Sequence, residues 1–194
     1  MKTKKTSRAA AKAVPFLRGE KIFLAPFTRK HLHSPEYLAW MNDLEITSNL
    51  VLSDYLFPVR FNQLEEYYLK NVSAKNGAFF AVHEKKSGRF IGTCKLSPFD
   101  PIVRSAEFGR VIGEKAARGK NYGTEIIRLL ADYAFGTLNL NKLTAGTHSE
   151  NAAALRTYQK MGFKVEARIR EACYKDGKYL DVIRVGLLRR EWKK

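Results

Sequence analysis

The chain has 194 residues, of which 45% are hydrophobic, and this favours one domain with an ordinary core over two domains. No apolar run approaches the roughly eighteen residues that a membrane-spanning helix needs. The excess of 35 Lys and Arg over 19 Asp and Glu gives a formal charge of +16, which favours anionic partners and argues against a polycationic acceptor, since a polycation needs clustered acids.

Residues 1–18 are typical of a basic extension in front of a domain. They contain six Lys or Arg and no acid, and Lys12 interrupts the alanine run that a secretory signal would need. We therefore expect a disordered tail over 1–18, one domain over 19–194 and a cytoplasmic location. An organelle transit peptide and a nucleic-acid-binding arm are the alternatives for the tail.

The domain begins with a strand and two helices. A β-rich run over 21–27 predicts the strand, and Thr28 then offers an N-cap to a helix that continues towards Met41. After a connecting region, apolar and tyrosine side chains at helical spacing over 62–73 predict the second helix.

The middle of the chain predicts three strands, over 78–83, 89–96 and 106–112. The first two are joined by a short polar segment that is typical of a hairpin loop. The third contains Gly109 and alternates imperfectly between apolar and polar residues, so we expect a bulge or a bend there.

The last third alternates between helices and strands. An amphipathic stripe over 121–138 predicts a long helix. A strand, a helix and a hairpin of two strands follow, over 143–147, 151–161, 164–174 and 179–188. This order predicts an α/β (α+β) fold, with a mixed, mostly antiparallel sheet of about seven strands and helices on both faces.

Cysteine and histidine positions give no sign of a metal site or a disulfide framework. Cys94 and Cys173 lie in separate strand-like runs, so we expect buried free thiols in a reducing compartment. His31 and His33 form an H-x-H pair without a third ligand, and we therefore predict no metal.

One loop has the chemistry of an anion site, because it leaves a strand and opens the long helix. A helix N-terminus presents unpaired N–H groups and the positive end of a dipole, and glycines let a phosphate approach the backbone. Plain turn chemistry is the alternative. The loop consists of Arg118, Gly119, Lys120, Asn121, Tyr122, Gly123 and Thr124.

This loop resembles the pyrophosphate-binding pattern Q/R-x-x-G-x-G/A of the GNAT superfamily of N-acetyltransferases. Arg118 matches the first position and Gly123 the last, whereas Asn121 stands where the family usually has glycine. Asparagine is the non-glycine residue that best tolerates positive φ, so we expect the turn to form. The resemblance implies the GNAT fold and binding of acetyl-CoA as co-substrate.

A second element, over 151–163, is similar to the family's N-x-x-A-x-x-x-Y-x-x-x-G-F. The resemblance implies that Asn151 holds the pantetheine arm and that Tyr158 protonates the departing CoA thiolate as general acid. The alternative for Tyr158 is a core tyrosine, because it shares the apolar helix face with Leu155.

The resemblance also implies roles for the strand before the loop. Glu107 matches a strand glutamate that is the general base in histone-type relatives. A structural carboxylate paired with Arg or Lys is the alternative, with a water chain or backbone carbonyl relaying the proton. Backbone groups of Val111, Ile112 and Gly113 would hold the pantetheine amides and polarise the thioester.

The closing segment, from Gly162 to Trp192, is similar to the RimJ/RimL branch and its spermidine-acetylating cousins. The branch implies a protein N-terminal α-amine as acceptor, with the ribosome as a possible anionic partner. A nucleotide-linked amino sugar, a polyamine, and a non-catalytic CoA- or RNA-binding module are the alternatives. We expect a monomer or homodimer without membrane attachment. The acceptor site implied by the resemblance includes Trp40, Asn42, Asp43, Tyr55, Phe57 and Tyr174, although ordinary packing explains such aromatics as well.

Overall fold

A computed structural model describes residues 13–51, 57–72 and 77–193 of the chain. In these ranges one sheet holds eight strands in the spatial order β1-β2-β3-β4-β5-β6-β8-β7. The predicted mixed, mostly antiparallel sheet is confirmed, and a two-residue strand at the N-terminus raises the count from about seven to eight. The strands are β1 (Leu17–Arg18), β2 (Ile22–Pro26), β3 (Ala78–Glu84), β4 (Phe90–Asp100), β5 (Ser105–Ile112), β6 (Lys142–His148), β7 (Lys164–Lys175) and β8 (Lys178–Leu188).

Six α-helices occur in the described ranges: α1 (Arg29–Leu32), α2 (Pro35–Met41), α3 (Leu44–Thr47), α4 (Phe61–Val72), α5 (Tyr122–Asp132) and α6 (Ala152–Lys160). The single helix predicted from Thr28 to Met41 is wrong. Pro35 has no N–H to continue a helix but is well suited to begin one, and Ser34 caps the new helix by accepting a hydrogen bond from the Tyr37 N–H. A π-helical turn, Tyr133–Thr137, extends α5. None of the described helices is long and apolar enough to cross a membrane.

Helices cover both faces of the sheet, as predicted. On one face α5 and α6 bury side chains such as Ile126, Leu130 and Tyr158 against the strands. On the other face the helices from α1 to α4 enclose a second core that includes Trp40 and Leu64. The sheet therefore separates two layers of helices, each with its own core.

The sheet opens beside β5. This strand pairs with β6 in parallel, but only from Ser105 to Glu107, and the two strands part beyond that point. The bulge predicted as one possibility at Gly109 is absent, since the pairing of β5 with β4 runs through Gly109 without a shift; the irregularity lies in β4, between Leu96 and Phe99. The free side of β5 forms one wall of a gap in the sheet.

The N-terminal residues of the described range pack on the sheet. The Phe16 N–H donates to the Leu24 carbonyl at 2.7 Å, and its ring stacks on Phe80 and meets Tyr133 edge-on, with centroids 5.7 and 5.4 Å away. Residues 16–18 thus contact the domain that was expected to begin at residue 19.

A pair of buried histidines joins α1 to β3. The Thr28 backbone N–H donates to His31 Nδ1, so the His31 proton sits on Nε2, which lies 3.1 Å from His83 Nε2. His83 Nδ1 in turn donates to the Gly88 carbonyl at 3.0 Å. This chain of contacts fits two neutral rings. Burial lowers the pKa of both, that of His31 to about 4.

The two cysteines are free, as expected. Cys94 is buried in β4, and burial raises the pKa of its thiol. Cys173 is only partly buried, because β7 lies at the edge of the sheet.

Candidate active site

The gap beside β5 opens into a cavity of about 770 Å³. It is bounded by β5, the first turn of α5, α6 and the segment that follows α3. Most residues expected at the coenzyme and catalytic positions line it, which brings the separate sequence motifs together. These residues are Glu107, Val111, Ile112, Arg118, Gly119, Asn121, Tyr122, Gly123, Thr124, Asn151 and Tyr158.

The loop before α5 has the backbone conformation that the sequence led us to expect. Gly119 has φ of +75° and Asn121 φ of +67° and ψ of +11°, so Asn121 adopts the left-handed conformation in place of glycine. Asn121 is the N-cap of α5 but uses its backbone for this, without a side-chain hydrogen bond. The N–H groups and positive dipole end of an 11-residue helix therefore face the cavity.

Charged side chains of the loop form ion pairs with carboxylates of the protein. Lys120 does not line the cavity, and its Nζ lies 3.6 Å from the Glu84 carboxylate. The Tyr122 hydroxyl donates to Glu84 at 2.6 Å, which raises the pKa of Tyr122 to about 12. Hydrogen bonds from Ser87 and Tyr122 lower the pKa of Glu84 to about 2. Glu84 thus anchors the start of α5 to the end of β3.

Arg118 connects the loop to the opposite layer. Its guanidinium forms an ion pair with Glu45 on α3, and Lys115 approaches the same carboxylate at 2.8 Å. Arg118 and Lys120 are thus both paired with carboxylates of the protein. An anionic ligand would have to compete for them or rely on the helix N-terminus.

Tyr158 lies deep in the wall of the cavity. Its ring packs between Phe108 and Phe163, with centroids 6.2 and 5.4 Å away, and the residue is 5% exposed. Burial raises the pKa of the hydroxyl, whereas the nearby Arg110 lowers it. The side chain both belongs to the core and borders the cavity, so the two roles considered for it do not exclude each other.

Glu107 borders the cavity on β5, where the gap begins. One carboxylate oxygen accepts a hydrogen bond from Arg184 Nη1 of β8 at 3.0 Å, and the side chain is 42% exposed. The ion pair matches the structural role considered for Glu107. Its exposure to the cavity leaves the carboxylate accessible to an incoming amine.

Some of the backbone and amide groups expected to hold pantetheine are already hydrogen-bonded within the protein, and others border the cavity. The Gly113 N–H donates to the Ile91 carbonyl at 3.1 Å, and Gly113 does not line the cavity, so this N–H cannot serve a ligand. Val111 and Ile112 do line it. Asn151 uses Oδ1 to cap α6 at the Ala154 N–H, which leaves its amide nitrogen as the group it can offer.

The described residues expected to form the acceptor site do not line the cavity. Trp40 packs over Gly113 and against Phe90, and the Asn42 side chain bonds to the backbone of Val59. Their positions reflect packing. Asp43 caps α3, Phe57 is exposed, and Tyr174 meets Tyr179 edge-on, while Tyr55 lies outside the described residues.

Other side chains form that part of the wall. Asn49, Leu50 and Lys95 border the cavity on the side of α3, and Arg110 and Arg184 extend from β5 and β8. Sequence patterns missed them because they come from distant segments. The one available signal was charge within strands, since Lys95 and Arg110 interrupt otherwise β-forming runs.

The cavity fits a coenzyme with a diphosphate at one end and a thioester at the other. The left-handed turn and helix N-terminus supply backbone donors for phosphate. Further in, Arg110 Nη1 is shielded from solvent near Tyr158 and has no hydrogen-bond partner among the described residues, so it is available to an anionic or polar group of a ligand. Acetyl-CoA has both features in this order.

Comparison with known proteins identifies the same chemistry. A profile described as an acetyltransferase (GNAT) domain matches residues 21–164. Spermidine N(1)-acetyltransferase of Vibrio cholerae serotype O1 is 32% identical over 132 residues, which cover 68% of this chain and 75% of that protein. A putative ribosomal N-acetyltransferase of Bacillus subtilis is 32% identical over 106 residues, which cover 55% and 57%.

Solved structures of N-acetyltransferases share the fold of this chain. The crystal structure of spermidine N-acetyltransferase from Vibrio cholerae in complex with CoA and spermine superposes with a TM-score of 0.79 at 29% identity, covering 88% of this chain and 97% of that one. A dodecameric structure of that enzyme in an intermediate state gives a TM-score of 0.69 at 27% identity, covering 87% and 94%. The chain belongs to the GNAT family of N-acetyltransferases, acyltransferases whose co-substrate is acetyl-CoA.

Proposed function

We propose that this chain acetylates the primary amine of a small molecule by direct attack on acetyl-CoA in a ternary complex. The observation that carries the proposal is the single cavity that joins the N-terminus of α5, Tyr158 and Glu107. Both substrates can meet there without a covalent enzyme intermediate, and catalysis then rests mostly on positioning.

Each polar side chain has one step in this reaction. Glu107, directly or through water, takes a proton from the ammonium form of the acceptor. The free amine attacks the thioester carbonyl carbon, the carbon–nitrogen bond forms, and the carbon–sulfur bond breaks with its electron pair going to sulfur. The second proton of the attacking nitrogen passes to solvent water. Tyr158 gives its hydroxyl proton to that sulfur. Val111 and Ile112 position the pantetheine arm through their backbone.

Spermidine-type polyamines are the first acceptors to test. Spermidine N-acetyltransferases match this chain over more of its length than the putative ribosomal enzyme does, which supports a small amine over the protein N-terminus suggested by the RimJ/RimL resemblance. The cavity wall carries two carboxylates, Glu45 and Glu107, and both are paired with cations. To bind these carboxylates, the ammonium groups of a polyamine would have to displace Arg118 from Glu45 and Arg184 from Glu107.

The charge of the acceptor side supports a second candidate, an amine that carries an anionic group such as a nucleotide-linked amino sugar. Lys95 lies over the Tyr67 ring, with Nζ 5.2 Å from the centroid, and makes no ion pair within the described part of the chain. It also borders a smaller adjoining cavity of about 90 Å³. A free ammonium group at this position would bind a phosphate or carboxylate and repel a polycation.

Thiol release from acetyl-CoA in the presence of different amines tests these readings. Spermidine, a UDP-linked amino sugar and a peptide with a free N-terminus are compared at equal concentration. We expect turnover with one of the two small amines and none with the peptide. Turnover with the peptide alone would support a protein N-terminal α-amine as the acceptor. CoA binding without turnover on any amine would support a non-catalytic module.

A further inference from the structure

Arg110 is a partly buried cation, with its Nη1 atom shielded from solvent, that the mechanism above does not use. It lies on β5 and faces the layer of α5 and α6, as Phe108 does two positions earlier. Its Cζ is 5.3 Å from the centroid of the Tyr158 ring and 5.8 Å from that of Phe108. A Cβ placed on Gly123 would meet Arg110 Nε at 3.2 Å, so the guanidinium lies between the first turn of α5 and the tyrosine of α6.

The surroundings of Arg110 do not neutralise its charge. It forms no ion pair among the described residues, and Nη1 has neither solvent contact nor a hydrogen-bond partner. A guanidinium stays protonated in proteins, and an unpaired buried charge is expensive. The nearby titratable groups are Cys94 on β4, Tyr158 on α6, Glu107 on β5 and Arg184 on β8, of which Glu107 is paired with Arg184.

A negative charge that could pair with Arg110 develops during the proposed reaction. When the carbon–sulfur bond breaks, the electron pair collects on sulfur, and proton transfer from Tyr158 moves the charge to the phenolic oxygen. The Tyr158 ring lies beside Arg110 and borders the cavity, and a sulfur atom that receives the Tyr158 proton must come within hydrogen-bond distance of that hydroxyl. A fixed cation there stabilises charge as it develops and needs no reorganisation at that moment.

We propose that Arg110 stabilises the negative charge of the departing CoA thiolate and of Tyr158 after proton transfer. The inference rests on the proposed acetyl transfer. Arg110 itself exchanges no proton and breaks no bond. Its side chain acts through its charge, and the helix N-terminus of α5 adds to the same positive field.

The ionisation of bound CoA tests this proposal without an acceptor. The thiolate absorbs in the ultraviolet, and its titration is followed in the CoA complex with the desulfo-CoA complex as the reference, which removes the signal of protein tyrosines. In the parent protein we expect the thiol of bound CoA to titrate at least about one pH unit below that of free CoA, as is typical next to an opposite charge. Equal or higher pKa values for bound CoA would overturn the proposal on the parent alone.

Two variants separate charge from packing. Arg110→Met keeps much of the volume and removes the charge, so it should abolish the lowered thiol pKa while desulfo-CoA still binds. Arg110→Lys should retain most of the shift. Equal loss of CoA and desulfo-CoA in Arg110→Met would show that Arg110 serves the diphosphate or the packing, and would overturn the inference. Failure of the parent to bind CoA at all would instead refute the proposed function.

Discussion

At Tyr158, burial and a neighbouring cation act in opposite directions. Burial in the core raises the pKa of the hydroxyl, which keeps its proton in place at neutral pH, and Arg110 lowers it. The alternatives that the sequence left open, acid or core residue, thus describe one side chain that packs with Phe108 and borders the cavity.

Removing only that hydroxyl tests the acid. We expect Tyr158→Phe to lower kcat by about 10²-fold or more, a typical contribution of general acid catalysis, with little change in CoA affinity. Steady-state kinetics and calorimetry with CoA measure the two quantities. Tyr133→Phe is the control, since Tyr133 is a partly buried tyrosine that packs with Phe16 and Phe80 and does not line the cavity. Unchanged turnover would return Tyr158 to a purely structural role.

A base must lose its proton before it can act, so its titration limits the rate at low pH. If Glu107 is the base, Glu107→Gln should lower kcat/KM and remove the low-pH limb of the pH–rate profile. Arg184→Gln, which removes its partner but keeps the carboxylate, should retain that limb. A Glu107→Gln profile with the same shape as that of the parent would exclude the base role.

The sequence pattern around Arg110 has two interpretations: an irregular backbone, or a charged side chain placed for a function. The imperfect alternation around Gly109 predicts a bulge or a bend, but the register with β4 is regular there. The alternation fails because Arg110, whose Nη1 atom is shielded from solvent, faces the layer of α5 and α6. A charged residue on the core face of a strand is better interpreted as a site than as a break in the strand.

At the scale of elements, local sequence predicted the types of helices and strands well and their ends less well. Asn121 adopts the left-handed conformation that its side-chain type allows, and the loop before α5 forms as the motif indicated. The first helix was predicted too long, because Ser34 and Pro35 begin a new helix inside its apolar pattern.

Gly113 directly follows β5 and packs against Trp40 of α2. A Cβ at this position would lie 1.9 Å from Cδ2 of Trp40, so we expect Gly113→Ala to destabilise the protein by about 1–3 kcal/mol, the usual cost of overpacking. Urea denaturation measures the change. Gly136→Ala is the control, because a Cβ there meets nothing within 4 Å. Equal effects of the two substitutions would contradict the tight contact.

At the scale of the whole molecule, the candidate site depends on contacts that no local pattern encodes. Lys95, Glu107 and Arg184 come from β4, β5 and β8, and they meet only because the strand order and the early parting of β5 from β6 bring them to one gap. Sequence motifs therefore predicted many of the residues that line the cavity, whereas Lys95 and Arg184 could be placed there only once the sheet was assembled.

The N-terminal boundary of the domain can be tested by truncation. Removing residues 1–18 should destabilise the protein by about 1–2 kcal/mol more than removing residues 1–12, because only the longer deletion loses β1 and the half-buried ring of Phe16. Thermal unfolding of both truncated proteins measures this difference, and Phe16→Ala in the full chain should reproduce part of it. Equal midpoints would place the boundary after residue 18.

The histidine pair gives the folded protein a deficit of bound protons in mildly acidic solution. His31 keeps a pKa of about 4 in the fold against 6.5 when exposed, so between these pH values the unfolded chain binds more protons and stability falls as pH falls. Calorimetric unfolding near pH 5 should consume protons, and the apparent enthalpy should differ between buffers of high and low ionisation enthalpy. His31→Gln should shrink that difference, and an unchanged one would exclude the pair as its source. Each unfolding event in mildly acidic solution therefore takes up protons from the solvent.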